Sequence, residues 1–106
     1  MIEKKFLAPY LIEFNKIGSS EIGYISVNEF SKQSPFQVNR IFWTYYTPQE
    51  IRRGNHAHYV TEQLLIPVSG KIIVETECKG EKKEFILDSP NKGLYLPPDC
   101  WHVMQY

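Results

Sequence analysis

The chain has 106 residues, 42% of them hydrophobic and 23% charged, with twelve basic side chains balancing twelve acidic ones. That length predicts one domain, large enough to bury a core without needing staples. The composition excludes a disordered chain, the balanced charge lacks the basic footprint of a nucleic-acid-binding domain, and no apolar run approaches the ~20 residues of a membrane span.

Taken in order, the chain reads as short strands separated by turns, without long helical periodicity. Residues 5–14 are a mixed apolar segment, expected to be extended, with Pro9 as a local breaker. Gly18-Ser19-Ser20 is a turn and residues 24–27 a short strand. Residues 37–46 form the strongest strand pattern, with Val38, Arg40, Phe42, Thr44 and Tyr46 on one face and Asn39, Ile41, Trp43 and Tyr45 on the other. Residues 48–55 are expected to form a loop carrying Arg52, Arg53 and Gly54, and residues 56–68 a strand. Ser69-Gly70 turns the chain into a strand over residues 71–78, and Lys79-Gly80-Glu81 reads as a hairpin turn into a return strand over residues 84–87. A loop with Pro90 and Gly93 precedes a strand at residues 94–96, a turn at 97–100 and a last strand from Trp101. This punctuation predicts an all-β fold, an antiparallel sandwich or barrel. The start, Met-Ile-Glu-Lys-Lys-Phe, has no apolar signal stretch, so the expected location is cytoplasmic. Cys78 and Cys100 form no CxxC pair and are expected to be free thiols in a reducing compartment.

All three histidines fall at informative places. His56 and His58 are two residues apart, so in a strand both imidazoles project to one face. His102 follows 44 residues after His58, behind Gly93 and Pro97. His56-x-His58, an acid or amide, and Gly70 resemble the first motif of cupins; Gly93, Pro97 and His102 resemble the second. The fold this implies is a small antiparallel jelly-roll barrel (cupin, RmlC-like), with residues 1–106 as a single domain and its site inside. Many cupins hold a divalent metal on two His, a Glu and a third His. The glutamate lies seven residues before the motif's glycine, and that position here is Gln63. Glu62 is adjacent, but strand neighbours point to opposite faces. A neutral amide is a poorer ligand than a carboxylate, so no metal and no cofactor are expected.

Arg53-Gly54-Asn55-His56-Ala57-His58, then Glu62-Gln63-Leu64-Leu65-Ile66, is similar to the nucleotide-sugar 3,4-ketoisomerase family, the small WxcM-like cupins. So is the string Asp88-Ser89-Pro90, Gly93-Leu94-Tyr95 and Trp101-His102. The resemblance runs from about Gly23 to Tyr106. It implies conversion of a dTDP-4-keto-6-deoxyhexose to its 3-keto isomer, in deoxyamino-sugar and surface-polysaccharide biosynthesis. It also implies a metal-free homodimer and further C-terminal strands beyond residue 106. No nucleic-acid or membrane partner is expected.

The reaction needs a group that removes the C3 proton and returns one to C4 through an enediol, and histidine titrates in the right range. The family match makes His56 the base and His58 its partner. Arg53 is assigned to the substrate, its forked donors suiting a diphosphate. Gln63, Tyr95, Trp101 and His102 complete the expected substrate-binding set. Two positions depart from the family pattern: Ile22 stands where an arginine is usual, and Phe42 where a tyrosine hydroxyl is usual. They favour one alternative, a non-catalytic sugar-nucleotide-binding cupin; the other alternative, a metal-dependent cupin, is disfavoured by Gln63.

Overall fold

The computed structural model describes residues 8–56 and 61–106. Nine strands are described and no helix. They are β1 (Tyr10–Glu13), β2 (Ile17–Ser19), β3 (Gly23–Ile25), β4 (Arg52–His56), β5 (Gln63–Leu65), β6 (Ile72–Cys78), β7 (Glu81–Leu87), β8 (Lys92–Leu96) and β9 (Trp101–Gln105). Every ladder between them is antiparallel. One sheet has the order β1-β8-β5, a second β4-β9-β6-β7, and β2-β3 form a hairpin of their own.

Alternation along the strands builds the core. Ile72 and Val74 of β6 and Leu87 of β7 pack with Leu94 and Leu96 of β8, so the two larger sheets share one apolar cluster. Leu65, Phe85, Met104 and Tyr106 pack around it. Each fully buried aliphatic side chain there contributes about 1.5–3 kcal/mol from apolar area removed from water. Strand β8 is covered on both sides, since Tyr95 between its two leucines is also buried. The outermost strand β7 instead carries Lys82, Lys83 and Glu84 exposed, a composition that discourages edge-to-edge pairing.

The β6–β7 hairpin is as expected, but tighter. Lys79 and Gly80 both have positive φ, 49° and 80°, and Cys78 pairs directly with Glu81. Two left-handed residues match the twist of the flanking strands, so the ladder extends from the turn itself, and β7 starts three residues before the expected 84.

Other expectations are corrected. Residues 37–46 are not a strand, despite their alternation, and Ile41, Phe42, Trp43, Tyr45 and Tyr46 are exposed. Alternation marks a chain that can pair; among the described residues no strand lies beside it to accept its hydrogen bonds. The loop expected at residues 48–55 ends early, because Arg52, Arg53 and Gly54 join β4 by pairing with β9. The turn expected at Gly18-Ser19-Ser20 shifts onward, since Gly18 and Ser19 are paired in β2. Cys78 and Cys100 are not free thiols but form a disulfide, with Cα atoms 4.6 Å apart. The β6–β9 register explains it. Glu77 pairs with Trp101, which brings the next residue of β6 opposite the residue preceding β9.

Candidate active site

Four of the candidate residues, Arg53, His56, Trp101 and His102, lie on β4 and β9, and β9 runs between β4 and β6. Thr76, His102 and His56 occupy one register row across the three strands. His102 and Thr76 are both buried, on the same side of the sheet as Val74 and Cys78. One step along, Arg53 is opposite Met104, which in turn is opposite Val74 of the core. Arg53 is exposed. Its neighbour Arg52 takes the other side of the strand and donates to the Glu75 carboxylate at 2.8 Å. That hydrogen bond, reinforced by charge, holds Glu75 below the usual carboxylate range and raises Arg52 above its ordinary value. The two adjacent arginines thus serve opposite faces of one strand.

Gly54 explains the glycine between Arg53 and Asn55. Its φ is +97°, and a Cβ there would be 2.9 Å from the His102 carbonyl oxygen. The register shifts between Gly54 and His56, a bulge that returns His56 to the row of His102. His58, the expected partner of the base, lies outside the described residues, and so does Ala57 between the two histidines.

Gln63 comes from the other sheet. It is paired with Leu96, and Leu65 with Leu94, so Gln63 is on the row that faces the shared core. Glu62 is on the reverse side, where its Oε2 accepts a 2.6 Å hydrogen bond from the Tyr95 hydroxyl. The amide and not the carboxylate therefore points toward the barrel interior. Among the described residues no cluster of three or more His, Cys, Asp or Glu could hold a metal ion.

Tyr95 and Trp101 are placed differently from Gln63 and His102. The Tyr95 ring is on the reverse face of β8, 5.0 Å from the Tyr10 ring and 6.2 Å from that of Phe36. Burial, with the neighbouring Tyr10, raises its pKa above the ordinary phenol value. Trp101 is exposed on the outer row of β9, opposite Glu77 and beside a shallow charged cleft lined by Glu77, Lys82 and Lys83. Alternation separates Tyr95 from Leu94 and Leu96, and Trp101 from His102. A half-open cleft of about 500 Å³ lies between Phe14, Lys16, Tyr24, Ile66 and Asn91, and it is not lined by Arg53, Gln63, Tyr95, Trp101 or His102. Lys16 there stacks its ammonium 4.2 Å over the Tyr24 ring, an arrangement without a sequence signal beyond two separated residues.

Comparison with known proteins decides the family. The family model described as FdtA: WxcM-like, C-terminal matches residues 8–106. The chain belongs to this family. It is 36% identical over 94 residues to a TDP-4-oxo-6-deoxy-alpha-D-glucose-3,4-oxoisomerase from Aneurinibacillus thermoaerophilus, covering 89% of this chain and 67% of that one. The structure of QdtA, a sugar 3,4-ketoisomerase from Thermoanaerobacterium thermosaccharolyticum in complex with TDP, superimposes with a TM-score of 0.86. It is 29% identical, with 92% of this chain and 70% of QdtA covered. WlaRA, a TDP-fucose-3,4-ketoisomerase from Campylobacter jejuni, gives a TM-score of 0.84 at 26% identity, over 93% of this chain and 73% of that chain. The FdtA-type chain is thus all-β and cupin-like, as its motifs imply.

Proposed function

We infer that this FdtA-type chain is a nucleotide-sugar 3,4-ketoisomerase acting on a dTDP-linked 4-keto-6-deoxyhexose. Its relatives' names support the activity, and a variant of QdtA holds TDP-4-keto-6-deoxyglucose. The observation that carries the reading within this chain is the row that sets His56 of the Arg53-Gly54-Asn55-His56 string directly opposite His102.

The roles rest on the family resemblance and on what the reaction requires. His56 is the base that takes the C3 proton of the 4-keto sugar. The electron pair moves toward C4 and its oxygen takes a proton, giving the enediol. The O3 proton then leaves, the carbonyl forms at C3, and C4 receives a proton, so the net change is isomerisation. His58 is its partner, and Arg53 takes the diphosphate with its forked donors. Gln63 and His102 bind the sugar from the core-facing side. Tyr95 and Trp101, on the faces turned away from Gln63 and His102, support the site from behind. The reading uses no metal, since a neutral amide at Gln63 replaces the anionic ligand that cupin metal sites employ.

The enzyme acts as a homodimer, on this reading, with the second copy covering the exposed aromatic residues between 37 and 46. Ile22 and Phe42 favour one second reading, a binding protein without turnover. Phe42 has no hydroxyl, and Ile22, 85% exposed, has no charge with which to hold a phosphate. The test is incubation with dTDP-4-keto-6-deoxyglucose, followed by NMR. A 3-keto product supports the isomerase; binding of the sugar nucleotide with no product supports the second reading.

A further inference from the structure

The Glu62 carboxylate has no role in the proposed chemistry, yet it is tied to one of the most buried side chains in the chain. Tyr95 is 1% exposed, and its hydroxyl donates to Glu62 across 33 residues of sequence. Tyr95 is opposite Leu64 in the β5–β8 ladder. Glu62 is two residues before Leu64, so it meets Tyr95 as a diagonal neighbour on the reverse face, within reach of a long side chain. The ring that offers the hydroxyl is itself held by Tyr10 of β1 and by Phe36.

We propose that Glu62 is a positioning residue for Gln63, acting through the hydrogen bond it accepts from Tyr95. Successive residues of a strand point to opposite faces, so anchoring Glu62 outward commits Gln63 inward. The anchor is the residue immediately before β5, a strand of three residues. With only three residue pairs to hold its register, a slip of β5 by one residue would exchange carboxylate and amide in the site. The Tyr95 hydroxyl thus selects which of the two side chains faces the substrate.

This rests on Gln63 binding the sugar, as proposed above. The test compares KM and kcat for dTDP-4-keto-6-deoxyglucose in Glu62→Ala, Glu62→Gln, Tyr95→Phe, Gln63→Ala and the double variant Glu62→Ala/Gln63→Ala. Gln63→Ala is expected to raise KM about tenfold, the order of one hydrogen bond lost. Glu62→Ala and Tyr95→Phe are expected to raise KM about fivefold while kcat stays within about twofold. Glu62→Gln keeps an acceptor for the hydroxyl and is expected to restore KM. The double variant is expected to match Gln63→Ala alone, because the anchor then has nothing to position. Should Glu62→Ala fail to fold, Tyr95→Phe in the Gln63→Ala background carries the same comparison. Losses that multiply in the double variant, or a Glu62→Ala KM equal to wild type, overturn the positioning role and leave Gln63 in place. An unchanged KM in Gln63→Ala overturns both assignments.

Discussion

Gly54 and His102 are in backbone contact across the β4–β9 ladder, so close that a Cβ on Gly54 would approach the His102 carbonyl oxygen to 2.9 Å. The glycine in the Arg53-Gly54-x-His56 string is therefore a structural requirement of the histidine row. Gly54→Ala meets backbone, which cannot swing away like a flexible side chain, and it also strains a φ of +97°. The expected cost is about 1–3 kcal/mol of stability, with isomerase activity falling further than the fraction unfolded. A thermal melt and an activity assay on the same preparation check both; an unchanged Tm contradicts the contact.

The disulfide between Cys78 and Cys100 joins the end of β6 to the residue before β9. Its sequence separation of 22 residues gives about 3 kcal/mol of stabilisation on the loop-closure estimate. Titration with a thiol reagent is expected to find no reactive cysteine in native protein, and a dithiol reductant is expected to lower Tm by roughly 10–20 °C. Two titratable thiols in native protein purified without reductant would contradict the bond.

The buried Tyr95 gives the fold a dependence on alkaline pH. Its pKa is raised by burial, with Tyr10 adding to the effect, so its stabilising contribution is fully present below about pH 10, where the unfolded phenol ionises. That contribution is lost as pH rises further, through the raised folded value. Melting curves of wild type and Tyr95→Phe are expected to keep a constant gap from pH 7 to 9 and to converge above about pH 10. A gap that widens with pH has the wrong sign.

Ile41, Trp43 and Tyr46 are 77%, 73% and 95% exposed, in a stretch whose alternation suits a strand. A second copy that covers this stretch makes a two-fold dimer, the commonest closed assembly. Light scattering at micromolar concentration is expected to give twice the chain mass, and Trp43→Glu is expected to lower it toward the monomer. A wild-type monomer contradicts the dimer.

Much of this was legible in the residues, because alternation and turn chemistry are local. The Lys79-Gly80 hairpin, the strand over Ile72–Cys78 and the division of Glu62 from Gln63 all follow from spacing. The same alternation separates Trp101 from His102 and Tyr95 from its flanking leucines, which places those aromatic rings behind their sheets. Three features depend on pairing partners and were not legible. Residues 37–46 carry a strand pattern but find no neighbour among the described residues, while Arg52–His56, with charged residues and a glycine, is drawn into a strand by β9. The Cys78–Cys100 bond likewise needs the β6–β9 register, which no local signal reveals.

The decisive experiment for His56 as base is exchange of the C3 proton of dTDP-4-keto-6-deoxyglucose in deuterated water, followed by NMR. Wild-type protein is expected to catalyse loss of the C3 proton signal. His56→Asn is expected to retain its fold and slow the exchange by roughly 10²–10⁴, the usual contribution of a general base. Exchange at the wild-type rate in His56→Asn would move the base elsewhere, and bound sugar nucleotide with no exchange in wild type would contradict the isomerase itself.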